Sequence, residues 1–534
     1  MKYVMEHIRD IVQGTFLQFR RNDPVEHLLL DSRRLIFPDT SLFFSLKGPR
    51  REGSSFMEEL YRRGVRNFVV QEEGTAGASP VDAAGSADDL AGSHSPVLPI
   101  SGRPMAALPD ANIILVKDSL TALQQLASWH RQQFSLPVIG ITGSNGKTIV
   151  KEWLNQLLED EFHIVRSPKS YNSQIGVPLS VWQLNEAHEL AIFEAGISRR
   201  GEMPRLEKIL QPTIGLFTNI GEAHSEGFAS RMEKAGEKWQ LFDHSELIIY
   251  CKDQPETEKA LAEWRQRQAE SRTGVESGTA GAGSGMVIEV AGATDSGSGA
   301  GLRGAANSRA RPGLTAVDQP QLFSWGHAED ATLVILSTET RGDIGRGREP
   351  TEEAGDPMND GLSGGTAGST VISARYKGQT FSFTAPFTDE ASLENVLHCV
   401  AVLLHFGQPV ERIREKIQRL SPIAMRLELK GGINHCSIIN DSYSADLSSL
   451  SIALDFLSQQ QQHIRRTVIL SDFLESGLEE TFLYMEIARV LRQKQVDRLV
   501  GVGNRISAMA ELIRREFPGE TSFYPSVDHF KKDF

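Results

Sequence analysis

The sequence predicts an α/β protein of several domains built on parallel sheets, and three observations predict it. A chain of 534 residues is too long for one hydrophobic core, and three domains is the expectation. Short apolar runs alternate with amphipathic helical stretches along most of its length, the rhythm of strands joined by crossover helices. One of those strand–helix junctions is a glycine-rich loop ending in Lys-Thr, a feature that places an anion at the carboxyl edge of a sheet.

That loop organises the rest. Apolar residues over 136–141 read as a short buried strand, and glycines follow at 140, 143 and 146. Lys147-Thr148 then opens a helix that carries Val150, Trp153, Leu154, Leu157 and Leu158 on one face. Gly143-Ser144-Asn145-Gly146-Lys147-Thr148 is therefore a phosphate cradle: backbone N–H groups and the helix dipole face the anion, Lys147 neutralises it, and the Thr148 hydroxyl can ligate Mg²⁺. The spacing is not the common G-x-x-x-x-G-K-[ST], which would need glycine where Ile141 stands. The loop is expected to bind a nucleoside triphosphate such as ATP.

Composition narrows the class. Hydrophobic residues make up 40% and charged residues 23%, as in soluble globular proteins. A net charge of −13 leaves no sequence-wide basic field, which argues against a nucleic-acid partner or an anionic membrane surface. Cys251, Cys399 and Cys436 include no C-x-x-C pair, so neither a disulfide framework nor a zinc site is expected. The first ten residues mix charges and lack an apolar targeting core, and the apolar run Val396–Leu404 is broken by His398 and too short to span a bilayer. The expectation is a cytoplasmic protein with no membrane span.

In chain order, residues 1–110 form a first unit, with strands at Leu42–Leu46 and Asn67–Val70 around a helix at Phe56–Arg63. Three stretches, 73–96, 268–316 and 342–369, are rich in Gly, Ala, Ser and Asp or otherwise polar, and read as disordered insertions. The second unit, 111–422, continues from the glycine loop with strands at Leu190–Phe193, Thr213–Phe217 and Leu247–Tyr250 and a helix at Arg231–Phe242. Strands at Leu333–Leu336, Val371–Tyr376 and Thr380–Phe383 are expected to form a small antiparallel appendage before a helix at Ala391–Phe406. The third unit, 423–534, alternates again. Its strands are expected at His435–Ile439, Thr467–Leu470 and Arg498–Val502, and its helices at Leu447–Leu457, Thr481–Gln493 and Ile506–Glu516, a second doubly wound domain.

Ligands of an open parallel sheet gather beyond the carboxyl ends of its strands. Glu194 ends one strand, His224 follows another, and Thr148 stands at the loop. A carboxylate, an imidazole and a hydroxyl near bound phosphates make a magnesium constellation. Taken singly, each has a plainer reading: a strand-end charge, a loop histidine and, for Lys238, a solvated helix face.

The G-[ST]-N-G-K-[ST] loop resembles that of the Mur ligases and their folylpolyglutamate synthetase relatives, which form amide bonds with ATP. Further segments extend the likeness over nearly the whole chain: Ser170–Pro178 with Asn172, Phe193-Glu194-Ala195-Gly196-Ile197, Thr218–His224 and Glu237–Phe242. The same holds for Glu394-Asn395-Val396, Met425-Arg426-Leu427-Glu428, Asn440-Asp441-Ser442-Tyr443 and Leu470–Gly477. The resemblance implies a three-domain architecture: an N-terminal α/β uridine-nucleotide domain, a central P-loop parallel-sheet domain and a C-terminal Rossmann-like domain. It implies that Asn395 contacts adenine, Arg426 reaches a phosphate from the closing domain and Asp441 lies near the ribose. It also implies two Mg²⁺ ions, one on Thr148 and Glu194, the other on His224 and a carbamylated Lys238. Asp31-Ser32-Arg33, ahead of Phe43–Gly48, is similar to the uridine-nucleotide signature of two branches of the family; the short hydroxyl and the Arg could grip a diphosphate or uracil edge, or the pair could simply brace a surface turn.

Among the branches, the motifs most resemble the one that adds a dipeptide during peptidoglycan precursor synthesis. The implied partners are UDP-N-acetylmuramoyl-tripeptide and D-alanyl-D-alanine. Details are similar to the ligase half of a fused ligase–alanine racemase, which implies an alanine racemase domain or protein as a further partner; racemase activity is not expected of this chain. The D-N-P-R motif of the branch that adds diaminopimelate or lysine is absent. Departures occur at Asn440, where the family has Asp, and at Ser444-Ala445-Asp446-Leu447, where it has N-A-N-P; Asp446 is expected to substitute in part. Two rivals follow: a related amide ligase with another amino-acid or folate substrate, and a weakly catalytic nucleotide-binding scaffold of wall synthesis.

Overall fold

The computed structural model describes residues 2–47, 53–72, 108–221, 228–276, 319–341, 368–423, 428–432, 436–442, 446–459, 465–474 and 478–533. They divide into two compact units.

The first unit comprises residues 1–134 with 173–186 and 208–210. Two short strands, β1 (Tyr3–Val4) and β3 (Pro24–Val25), pair beside helix α1 (Met5–Ile11). The main sheet holds β2 (Thr15–Gln18), β4 (His27–Leu29), β5 (Ser41–Phe44), β6 (Asn67–Gln71) and β7 (Asn112–Val116) in the order β2-β7-β6-β5-β4. Helices α2 (Met57–Arg62), α3 (Ser119–Gln132) and α5 (Gly176–Val181) complete it. Continuous burial along β5 and β6 fits a sheet covered on both faces, and apolar clusters lie on either side of it. The boundary expected at 110 is too early. β7 pairs in parallel with β6 along its whole length, and Asp118 caps α3 by accepting from the Thr121 N–H, so the unit runs on to Phe134.

The second unit carries a nine-stranded sheet. Its strands are β8 (Val138–Thr142), β9 (Ile164–Arg166), β10 (Leu190–Glu194), β11 (Ile214–Phe217), β12 (Leu247–Cys251), β13 (Gln321–Gly326), β14 (Leu333–Arg341), β15 (Ser369–Tyr376) and β16 (Gln379–Ala385). The order is β16-β15-β14-β13-β12-β11-β8-β10-β9, parallel from β9 through β14 and antiparallel beyond. Helices α4 (Lys147–Leu158), α6 (Met203–Leu210), α7 (Arg231–Trp239), α8 (Pro255–Glu276), α9 (Glu390–His405) and α10 (Val410–Gln418) provide the crossovers and the C-terminal pair. The apolar face of α4 (Val150, Trp153, Leu154, Leu157, Leu158) packs with Ile139, Ile141, Leu190 and Ile192 of the central strands and with Val396–Leu404 of α9. The expected antiparallel appendage is instead the far end of this sheet, because β13 joins it in parallel to β12 and β14. The stretch 268–316 is likewise corrected at its start, since α8 continues through Glu276; the remainder lies outside the described residues, as do 73–96 and nearly all of 342–369.

Beyond α10, β17 (Glu428–Gly431) and β18 (Ser437–Asn440) form an antiparallel pair. The strand expected at His435–Ile439 thus pairs with β17 and not with the parallel strands that follow it. A parallel sheet holds β19 (Thr467–Ser471), β20 (Arg498–Val502) and β21 (Glu520–Tyr524) in that order. Helices α11 (Leu447–Gln459), α12 (Glu480–Gln493), α13 (Asn504–Ala508), α14 (Ala510–Glu516) and α15 (Val527–Asp533) accompany it, and α11 and α12 share one apolar cluster with β20. Among the described residues, no helix is long and apolar enough to cross a membrane.

Candidate active site

The glycine loop leaves the carboxyl end of β8, the strand flanked by β10 and β11. Register places Glu194 opposite Ile141 and Phe217 opposite Thr142, so three strand ends meet there. Gly143 and Gly146 have φ of +140° and +82°, where an L side chain is strained. Space forbids one as well: a Cβ on Gly143 would stand 2.0 Å from Thr218 Oγ1, and one on Gly146 2.2 Å from Asn395 Oδ1.

The segment after β11 latches the loop. Ser144 N donates to the Asn219 carbonyl at 2.8 Å, Asn145 N to Asn219 Oδ1 at 2.9 Å, and Thr218 Oγ1 to the Asn145 carbonyl at 2.6 Å. Ser144 Oγ accepts from Gly221 N at 2.8 Å. Behind this latch stands His398 of α9, buried and fixed as one tautomer: Nδ1 accepts from the Trp325 indole N–H, leaving Nε2–H to donate to the Thr218 carbonyl, each at 3.0 Å. Burial lowers its pKa to about 4 and keeps the ring neutral. The loop is thus tied to the segment after β11 at four hydrogen bonds.

Three lysines converge on it. Lys147 Nζ folds back to the carbonyls of Gly143 and Ser144, at 2.9 and 2.8 Å. Lys238 Nζ, from α7, donates to the same Gly143 carbonyl at 2.9 Å. Lys234, one turn earlier on α7, is buried and donates to the Gly221 carbonyl at 2.9 Å. Burial first, then the charges of Lys147 and Lys234, push the Lys238 pKa well below that of an ordinary lysine. Lys238 is therefore an amine that readily stands neutral, beside two cations.

Glu194 is fully buried. Its Oε2 accepts from Thr148 Oγ1 at 3.1 Å, and that hydroxyl also lies 3.0 Å from Ser170 Oγ. Among the described residues Oε1 takes no hydrogen bond, and it lies 3.0 Å from the ammonium of Lys151, itself wholly buried and donating to the carbonyls of Ser167 and Lys169. A buried carboxylate oxygen without a hydrogen bond, next to a threonine hydroxyl at a phosphate loop, is a donor set that fits Mg²⁺ sharing its shell with phosphate oxygens. Among the described residues, no cluster of three or more His, Cys, Asp or Glu side chains could hold a metal unaided.

The other predicted residues fall variously. Asn395 is buried against Gly146. The Asn172 side chain lies against Gly196, whose N–H donates to the Asn172 carbonyl at 2.8 Å. His224 and Arg426 lie outside the described residues. Asp441 follows β18, where Ser442 Oγ donates to Asn440 Oδ1 at 2.8 Å. Asp446 caps α11, with its carboxylate accepting from Ser449 N at 2.9 Å and Ser449 Oγ at 2.7 Å. That carboxylate is engaged in the helix start. In the first unit, Asp31 accepts from Arg33 Nη2 at 2.7 Å and caps its own 3₁₀ turn; Arg33 remains 87% exposed, while Ser32 is buried. Hydrogen bonds from Arg33 lower the Asp31 pKa to about 2.

Sequence reasoning missed Lys151 and Lys234. Each stands four residues from a residue it did find, Lys147 and Lys238, on the same helix face, and that spacing is the signal.

Known proteins resemble this chain in sequence and in fold. Residues 141–284 match the model of the Mur ligase middle domain. A crystal structure of MurF from Acinetobacter baumannii superposes with a TM-score of 0.68 at 20% identity, covering 98% of this chain and 90% of that one. The fold is that of the Mur ligases. Among curated relatives, UDP-N-acetylmuramoyl-tripeptide--D-alanyl-D-alanine ligase of Bacillus subtilis is 25% identical over the whole of this chain and 89% of its own length. The ligase of the same name from Treponema pallidum is 35% identical over 40% of this chain and 41% of its own length. The matched residues, 141–284, include the glycine loop from Ile141, Glu194 and Lys238.

Proposed function

We propose that this protein is an ATP-dependent ligase that joins D-alanyl-D-alanine to UDP-N-acetylmuramoyl-tripeptide in peptidoglycan precursor synthesis. The observation that carries the reading is the convergence of Lys147, Thr148, Glu194 and Lys238 on one glycine loop at the carboxyl edge of the nine-stranded sheet. Full-length similarity to the Bacillus ligase selects the dipeptide branch.

Each residue has a task its surroundings suit. Once a polyphosphate supplies anionic oxygens, Lys147 can exchange its two carbonyl partners for the phosphates, with the N–H groups of the α4 N-terminus beside it. Thr148 and Glu194 would hold one Mg²⁺, and His224 with a carbamylated Lys238 a second; the ions would offset charge on the phosphates. A neutral amine is the form that adds CO₂, and the depressed pKa of Lys238 supplies it. Carbamylation turns this neutral amine into an anion, which the neighbouring cations Lys147 and Lys234 favour. The tripeptide carboxylate attacks the γ-phosphorus of ATP, ADP leaves, and the amine of D-alanyl-D-alanine displaces phosphate from the resulting acyl phosphate. Positioning and electrostatics provide most of the acceleration in such transfers. On this reading Asn395, Asp441 and Arg426 serve nucleotide binding, and Asp31, Ser32, Arg33 and Asn172 serve binding of the uridine substrate.

The test is mass spectrometry of the product formed from ATP, UDP-N-acetylmuramoyl-tripeptide and D-alanyl-D-alanine. The expected result is a mass increase of one dipeptide less water, with ADP release that depends on the dipeptide. ADP release driven equally by single amino acids, or no condensation at all, would refute it.

A further inference from the structure

We propose that His398 of α9 is a positioning residue for the glycine loop, acting through the Thr218 carbonyl. The proposal rests on the reading of that loop as a nucleotide site. His398 Nε2 stands 3.0 Å from the Thr218 carbonyl oxygen, and Nδ1 stands 3.0 Å from the Trp325 indole nitrogen. Both side chains are buried, and the two rings meet edge to face with centroids 5.0 Å apart. An indole N–H only donates, so Nδ1 is the acceptor and the ring proton lies on Nε2, aimed at Thr218. The plainer role, a core histidine satisfied for its own sake, would fix nothing beyond itself; here one of the two partners belongs to the segment that holds the loop.

That carbonyl belongs to the peptide plane joining Thr218 to Asn219, and a planar peptide turns as a unit. Both residues of the plane grip the loop. Thr218 N donates to the Thr142 carbonyl at 2.9 Å, and Thr218 Oγ1 to the Asn145 carbonyl at 2.6 Å. Asn219 accepts from Ser144 N through its carbonyl and from Asn145 N through Oδ1. Rotation of the plane would carry both Asn219 acceptors away from the loop N–H groups. A donor pinned to the Thr218 carbonyl opposes that rotation.

Helix α9 therefore meets the loop twice from one face. Asn395, three residues before His398, lies over Gly146, and that spacing makes the two side chains neighbours. Trp325 reaches His398 from β13, which β12 and β11 separate from β8 in the sheet. A strand remote from the loop thus shares in setting it.

The experiment measures ADP affinity by titration calorimetry with Mg²⁺ in excess, and melting temperature without nucleotide, for the wild type and four variants. His398→Gln carries an amide N–H at the reach of Nε2 and keeps a donor for Thr218. Trp325→Phe removes the indole N–H but leaves the His398 donor, which the carbonyl alone still favours on Nε2. His398→Asn reaches only as far as Nδ1, and His398→Met has no donor, so both leave the Thr218 carbonyl without one. Wild-type affinity is expected in His398→Gln and Trp325→Phe. Binding about tenfold weaker is expected in His398→Asn and His398→Met, the scale of one buried hydrogen bond. Should one of that pair fail to fold, the other decides. A side chain serving only the core would move the melting temperatures and leave affinity alone. Unaltered affinity in the folded Asn or Met variant, or equal weakening in His398→Gln or Trp325→Phe, would overturn the proposal while leaving the nucleotide site intact. Collapse of both donor-less variants would do the same, since it would make His398 a requirement of the core. Failure of the wild type to bind ADP would instead remove both.

Discussion

The glycine loop of the second unit and the Asp31–Arg33 turn of the first are both short polar motifs, but they are held by opposite means. The loop is fixed from outside. Thr218, Asn219 and Gly221 bond its backbone, Asn395 fills the space over Gly146, and lysines from α4 and α7 meet at one carbonyl oxygen. The Asp31–Arg33 pair is fixed from within, since its ion pair and its cap are made two residues apart and its guanidinium stands in water. Polar groups taken from water demand partners, so a buried motif tied to distant segments declares a chemical commitment. An exposed pair that closes on itself is satisfied without a distant partner.

The contrast can be broken experimentally, and the largest effect is expected at Lys238. Lys238→Ala should abolish turnover, with formate or acetate restoring part of it by returning a carboxylate to the site; normal activity in the variant would remove the carbamate from the account. Lys147→Ala should lower kcat by about a hundredfold or more, the scale for losing one preorganised electrostatic contact to a reacting group. Next in size is Lys151→Met. It leaves Glu194 charged and buried without its counterion, which is expected to destabilise the protein by about 3–5 kcal/mol in a denaturant titration. A melt close to wild type would show that Glu194 is relieved in some other way. Gly143→Ala combines a strained φ with a close approach to Thr218, and should cost about 1–3 kcal/mol and most of the nucleotide affinity.

The smallest effect is expected at Asp31. Its folded pKa, about 2, lies below the unfolded value. The stability it contributes is therefore present above the unfolded carboxylate pKa and is lost as pH falls through about 2. At neutral pH, Asp31→Asn should shift the melting temperature by only about a degree or two, as exposed pairs contribute little. A large rise in KM for the uridine-nucleotide substrate, with stability unchanged, would give this turn a recognition role and narrow the contrast with the loop.

The sequence made legible what local pattern encodes. The burial period of α4, the loop glycines and the strand ends at Glu194 and Phe217 follow from apolar spacing and turn chemistry. Pairing between distant strands is not a local property. The stretch from β14 to β16 therefore read as an appendage until β13 was found bonded to both neighbours, and β18 read as a member of a parallel sheet it does not join. Polar side chains were misjudged where burial decides their role. Lys151 looks solvated in a sequence, yet it lies against Glu194 at the core of the site.

The β14–β15 hairpin has a practical consequence for working with this protein. Its register sets Arg341 directly across from Ser369, so the two ends of the intervening polar stretch are only about 5 Å apart. A two-residue Asn-Gly link has the right twist to span such a gap. A trimmed version carrying that substitution should keep the ladder from Leu333 to Ala385 and the same turnover, giving a shorter molecule for crystallisation.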